Sequence, residues 1–160
     1  MIIMTVSQYL TPISKPQSSE LIIYPYQGVG QIRFGMTRAE VRSLLGEPSA
    51  IFYKGLNTET STDAYDNIGV HICYHPSGYC EALEFFEPAQ LVLEKKYLFE
   101  LSFANFRDWL ALQDHDLEID EEGFTCFKYG ISIYAPRWQI EPNLPAEGIL
   151  VFQDRDYYNQ

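Results

Sequence analysis

Gly30-Gln-Ile-Arg-Phe-Gly-Met-Thr-Arg-Ala-Glu-Val-Arg-Ser-Leu-Leu-Gly-Glu-Pro48 decides the fold, because it spells a short strand, a capped helix and a stop signal in succession. Thr37 stands as N-cap with Glu40 as the reciprocal acid of a capping box, and Met36 and Val41 occupy the positions of a hydrophobic staple. Gly46 and Pro48 end the helix. The segment holds no nucleophile, phosphate cradle or metal ligand, so it speaks for architecture and leaves the activity to the surfaces around it.

Working outward, the same plan returns in the second half of the chain. Ser102 stands as N-cap, Phe103, Phe106, Trp109 and Leu110 follow the helical period, and Leu101 with Phe106 takes the staple positions. Thr37 thus corresponds to Ser102, Val41 to Phe106, and Leu44-Leu45 to Trp109-Leu110. The strands after each helix also match: Gly69-Val-His-Ile with Gly130-Ile-Ser-Ile, and Glu81-Ala-Leu-Glu-Phe-Phe with Glu147-Gly-Ile-Leu-Val-Phe. Strands are expected over 49–54, 68–74, 79–86, 91–101, 124–134 and 148–153, with residues 55–63 as an exposed loop. The fold class expected is α+β: two tandem similar helix-plus-antiparallel-strand units, residues 21–90 and 91–160, forming one curved sheet with two helices on one face. Residues 1–20, punctuated by Pro12 and Pro16, read as a flexible lead-in to this single domain.

Composition narrows the function. With 160 residues, 46% of them hydrophobic and 15% aromatic, the chain can bury a core by itself. A formal charge of −11, from 22 acidic and 11 basic residues, argues against direct nucleic-acid binding and for a basic protein partner. No charged signal-peptide start and no long apolar span is written in the first residues, so a cytoplasmic protein with no membrane contact, monomeric or weakly dimeric, is expected. Three cysteines, Cys73, Cys80 and Cys126, do not make a disulfide framework.

The segment Ile32-Arg-Phe-Gly-Met-Thr-Arg-x-x-Val41, continued by Leu45-Gly46-x-Pro48, resembles the repeat start of the β-lactamase inhibitory protein family. It is also similar to the Gly-Met-Thr motif of the SmpA/OmlA-type outer-membrane assembly lipoproteins. Both resemblances imply a binding fold, in which helices cover one face of a sheet while the other grips a protein. The second half keeps the capped helix without Gly-Met-Thr, the cysteines do not follow a two-bridge pattern, and no lipobox cysteine stands near the start. In charge and build the chain also looks like the cytosolic immunity proteins of bacterial toxin systems.

Alternation sends Val70, Ile72, Leu83 and Phe85 to the helix side of the sheet, and His71, Cys73, His75, Cys80, Ala82, Glu84 and Phe86 to the opposite side. Ser132, Tyr134, Leu150 and Phe152 extend that second face. His71, Cys73, His75 and Cys80 carry zinc-type donors but lack Cys-x-x-Cys spacing, so they read as ordinary residues of the outer face, with no metal or other cofactor assigned. The acidic run from Asp114 through Asp116, Glu118, Asp120, Glu121 and Glu122 has Ile119 where an EF-hand needs glycine, which excludes a calcium loop. With Leu117 and Ile119 tucked in, it reads as a solvated edge or as an acidic lip for a cationic partner. No nucleophile elbow, metalloprotease helix, Walker loop or dinucleotide fingerprint is present.

A non-enzymatic inhibitor of a basic toxin enzyme is therefore expected, an immunity or antitoxin protein. Phe86, Tyr134 and Phe152 are its apolar anchors, and His71, Glu84 and the acidic run complete the face. A metal- or ligand-binding protein or enzyme using the His71/Cys73/His75 patch, and an assembly or scaffold module, are the alternatives.

Overall fold

The computed structural model describes residues 20–56 and 58–157. Apart from Glu20, the expected lead-in lies outside them. Among the described residues the architecture is α+β, with two α-helices and two hydrogen-bonded sheets. Five strands form the smaller sheet: β1 (Glu20–Tyr24), β2 (Gly28–Val29), β3 (Ile32–Arg33), β8 (Gln90–Leu93) and β9 (Lys96–Tyr97), in the order β3-β2-β1-β8-β9 with β1 and β8 parallel. The larger sheet is antiparallel throughout. It holds β4 (Ala50–Phe52), β5 (Thr62–Tyr65), β6 (Val70–Tyr74), β7 (Cys80–Phe85), β10 (Glu118–Asp120), β11 (Gly123–Cys126), β12 (Ile131–Tyr134) and β13 (Gly148–Phe152). Their order is β10-β11-β12-β13-β7-β6-β5-β4. Helix α1 (Arg38–Leu45) precedes the first four of these strands and α2 (Phe103–Gln113) the last four. The strands thus divide between two sheets where one was expected, because β1 to β3 and the β8–β9 hairpin pair with one another instead of extending the meanders.

Both helix starts follow their caps. Thr37 Oγ1 accepts from the Glu40 N–H at 3.2 Å while Glu40 Oε1 accepts from the Thr37 N–H at 2.9 Å, which is the reciprocal box. Gly46 ends α1 at φ 84, a conformation that suits glycine, and its N–H donates to the Arg42 carbonyl at 2.8 Å. Ser102 Oγ accepts from the Asn105 N–H at 3.1 Å.

Two elements depart from the sequence reading. The strand expected over 91–101 is β8, a turn at Glu94 and Lys95 with φ 50 and 66, β9 and a 3-10 turn at Leu98–Glu100. The loop expected over 55–63 ends inside β5, all four of whose residues are buried. Asp63 points to the helix side with 0% exposure. Its carboxylate accepts from Arg38 Nη1 at 2.6 Å, Arg42 Nη2 at 2.7 Å, Arg42 Nε at 2.9 Å and the Tyr74 hydroxyl at 3.1 Å. Burial pushes this acid upward, but the Arg42 hydrogen bonds, the Arg38 charge and the Tyr74 hydroxyl outweigh it and hold the group below the usual carboxylate range.

The inner face of the large sheet, including Ile72, Leu83, Phe85, Ile131, Ile149 and Val151, packs in one cluster with Val41 of α1, with Phe103, Phe106 and Leu110 of α2, and with Ile23, Val29 and Leu91 of the small sheet. Two helices and a second sheet therefore occupy one side. On the other side, Cys73, Ala82 and Phe152 form a smaller buried cluster.

Candidate functional site

The site is built from strand register. His71 lies opposite Glu84, Glu84 opposite Leu150, and Leu150 opposite Ser132, so these four form one cross-strand row on the outer face. In the row beside it, Asp120 pairs with Gly123, Gly123 with Tyr134, and Tyr134 with Gly148. Phe86 follows β7 directly, and its ring edge lies 3.5 Å from where a Cβ on Gly148 would stand. A glycine between two aromatic positions leaves a hollow. Its volume is about 500 Å³, and Lys54, Glu84, Phe86, Tyr134, Leu150 and Tyr157 are among its lining residues.

Tyr134 is 48% exposed, so its ring meets solvent as one wall. Opposite it, Phe86 belongs to an aromatic row: the His71 ring lies 4.7 Å from Phe86 and 5.2 Å from Phe52 between centroids. His71 Nε2 lies 3.3 Å from Asp66 Oδ1. In the lining of the hollow, the Lys54 ammonium donates to Glu84 in an ion pair. His71, Glu84, Phe86, Tyr134 and Leu150, grouped from sequence by alternation, thus meet on one surface.

Phe152 does not join that surface as an anchor. It shares the outer side of the sheet but is 1% exposed, roofed by Tyr26, Phe127, Leu150 and Tyr157. The Tyr26 ring meets it edge-on at 6.0 Å, and the Tyr26 hydroxyl donates to the Phe127 carbonyl at 2.6 Å. Phe152 is a support for the face.

The acidic run also divides. Asp114 is 8% exposed and caps the end of α2, accepting from the Asp116 N–H at 2.9 Å and the Lys128 N–H at 3.1 Å. Burial works against its charge, yet these backbone donors hold the acid below its ordinary range. This carboxylate is structural and cannot serve the lip. Asp116, Glu118, Asp120, Glu121 and Glu122 are exposed. Through the ladder, Glu118 and Asp120 share the outer face with Thr125 and Tyr134, while Ile119, expected inside, is 50% exposed at the sheet edge.

The His and Cys patch comes apart at a β-bulge. Register shifts between Cys73 and Tyr74, so Tyr74 faces Cys80 and both join the inner core, while Cys73 and Ala82 stay on the outer side. Cys80 and Cys73 therefore lie on opposite faces, and all three cysteines are free thiols. Burial raises Cys80 to about 12 and Cys126 to about 11 and also pushes Cys73 upward, so none is poised as a thiolate. His75 stacks on Tyr79 at 4.7 Å and its Nδ1 accepts from the Ser77 N–H at 2.9 Å. Among the described residues, no three His, Cys, Asp or Glu side chains converge as metal ligands. No described helix is long and apolar enough to cross a membrane.

Sequence reasoning missed Lys54, Gly148 and Tyr157. Lys54 was legible in principle, since it continues the alternation of the outer-facing Ala50 and Phe52. Tyr157 was not, because it comes to the face from a turn beyond the last strand, and it also borders a second hollow of about 300 Å³ beside Cys73, Thr60 and Glu81. Comparison with protein-family models, with curated proteins and with solved structures finds no match to this chain.

Proposed function

We propose that this chain is a non-enzymatic, stoichiometric protein inhibitor, a cytoplasmic immunity or antitoxin protein that blocks a basic toxin enzyme. The observation that carries this reading is an outer sheet face bearing an aromatic hollow beside Glu84 and a line of exposed acids, in a chain of net charge −11. Aromatic anchors with complementary charge around them are what a tight, fast-forming interface requires.

The two-unit reading belongs to the same proposal: two helix-plus-meander halves, related by duplication, jointly offer one curved binding surface. Its support is the matching order of elements, each helix followed by four antiparallel strands that meet at β7 and β13. The turns agree too. Gly69 and Gly130 have φ 71 and 68, and their carbonyls accept from Phe86 and Phe152 at 2.9 and 3.0 Å.

The test is a pull-down from the native host followed by co-expression with a basic enzyme so recovered. The expected result is rescue of growth and a one-to-one complex by light scattering, with Tyr134→Ala or Phe86→Ala weakening that complex by about tenfold or more, as hot-spot truncation does. Failure to rescue growth, with no complex at micromolar concentration, refutes the reading.

A further inference from the structure

We propose that the hollow over Gly148 is the receptor for one arginine side chain projecting from the surface of the protein partner, and that Lys54 holds its place until the partner arrives. The inference rests on the inhibitor reading and names the chemistry its central contact uses. Phe86 and Tyr134 stand on either side of Gly148, the one cross-strand position between them that has no side chain. A planar guanidinium stacks against aromatic faces, and the negative faces of the rings favour a cation over a neutral guest. Glu84, its side chain 28% exposed, supplies a carboxylate to the lining of the hollow. That carboxylate matches the guanidinium fork, which can bind it with two parallel hydrogen bonds.

Lys54 is the chain's own cation at this place. Its ammonium pairs with Glu84, so the carboxylate is already charge-compensated within the chain. An incoming arginine exchanges one cation for another and adds the stacking that a lysine ammonium does not supply. Beyond Tyr134, the cross-strand row continues through Gly123 to Asp120, about 10 Å away at ordinary strand spacing. Glu118, Asp120, Glu121 and Glu122 thus lie on the side from which a basic surface is drawn in.

The probe is the capped tripeptide acetyl-Gly-Arg-Gly-amide, titrated against isotope-labelled protein while the Leu150 methyl and Ile149 amide signals are followed by NMR. Saturable shifts at these two residues are expected, weaker by about threefold or more with lysine in place of arginine and lost with citrulline, which keeps the shape and drops the charge. Glu84→Gln and Tyr134→Ala each weaken the response by about fivefold or more, a loss in the range of one charge-assisted or cation–π contact. Gly148→Val abolishes it by filling the slot, since a Cβ there meets only ordinary contact distances. Lys54→Gln tightens binding, whereas Lys95→Gln, which removes the same charge from the exposed β8–β9 turn, leaves it unchanged.

Equal response to citrulline, or equal tightening by both lysine variants, overturns the assignment. If the complex with the toxin enzyme forms and is weakened by Asp120→Asn but not by Glu84→Gln or Gly148→Val, the hollow is not the receptor although the inhibitor reading stands. If tripeptide binding holds as described and no protein complex forms, the inhibitor reading fails and the arginine site does not belong to an inhibitor interface, which also overturns the proposal.

Discussion

Helices α1 and α2 begin with the same kind of cap, yet they are held to the sheet by different physics. Helix α2 buries Phe103, Phe106 and Leu110, with Phe106 edge-on to Phe124 at 5.3 Å and Phe103 stacked on Trp138 at 5.0 Å. Helix α1 buries Val41 alone and is clamped by Arg38 and Arg42 to the carboxylate of Asp63. Two segments that read from the sequence alone as alike thus differ, one anchorage being apolar and the other ionic. The contrast teaches that repeated local signals constrain where a helix starts, while the grip on the core is free to change.

Four measurements sharpen or break this contrast. The largest effect is expected from Phe106→Ala, which removes a fully buried ring from the α2 side and should cost about 3–5 kcal/mol in denaturant unfolding. Next comes Asp63→Ala. It strands two arginines at the α1 side, but their side chains retain 29% and 24% exposure and can turn to water. Its cost is therefore expected at about 2–3 kcal/mol, below that of a fully enclosed pair. An equal or larger loss than for Phe106→Ala would reverse the ranking of the two anchorages.

The third measurement is acid sensitivity. Asp63 has its folded-state proton affinity lowered, so its stabilisation is complete above the unfolded carboxylate value near 4 and is lost as pH falls through the lower folded value. Asp114 contributes with the same sign. Stability should fall as the pH drops below about 4, and Asp63→Asn should flatten that slope when melting is followed across the acid range. A wild-type slope unchanged in the variant would remove the ionic account of α1. The smallest effects belong to the caps: Thr37→Ala and Ser102→Ala should each cost about 1 kcal/mol. Since α1 has so little apolar burial, exchange of its amides should rise more in Thr37→Ala than exchange of the α2 amides rises in Ser102→Ala.

Much of this was readable in the chain, and the unread parts share a cause. Thr37, Gly46 and Ser102 act within a few residues of themselves, so their roles follow from spacing alone. Alternation likewise brought His71, Glu84, Tyr134 and Leu150 to one face, because side-chain direction in a strand is local. The reading failed where a distant group intervened. Thr62 and Asp63 fall in the expected loop because an Asp among polar residues signals solvent, whereas arginines more than twenty positions earlier make its burial favourable. Cys80 was assigned to the outer face because alternation cannot announce a bulge. Phe152 looked like an anchor because nothing in its own strand tells that Tyr26 and Tyr157 roof it.

By itself, then, the sequence determined the capped helices, the faces of His71, Glu84, Tyr134 and Leu150, and the acidic character of the molecule. These depend on backbone geometry and charge count, which are short-range or additive. Only the tertiary structure decided that the strands divide into two sheets, that Asp63 and Asp114 are internal fasteners, and that a glycine between Phe86 and Tyr134 lies under a hollow lined in part by Lys54 and Glu84. Those outcomes depend on which distant groups meet, and a carboxylate becomes buried or a ring becomes a wall only once its partners have arrived.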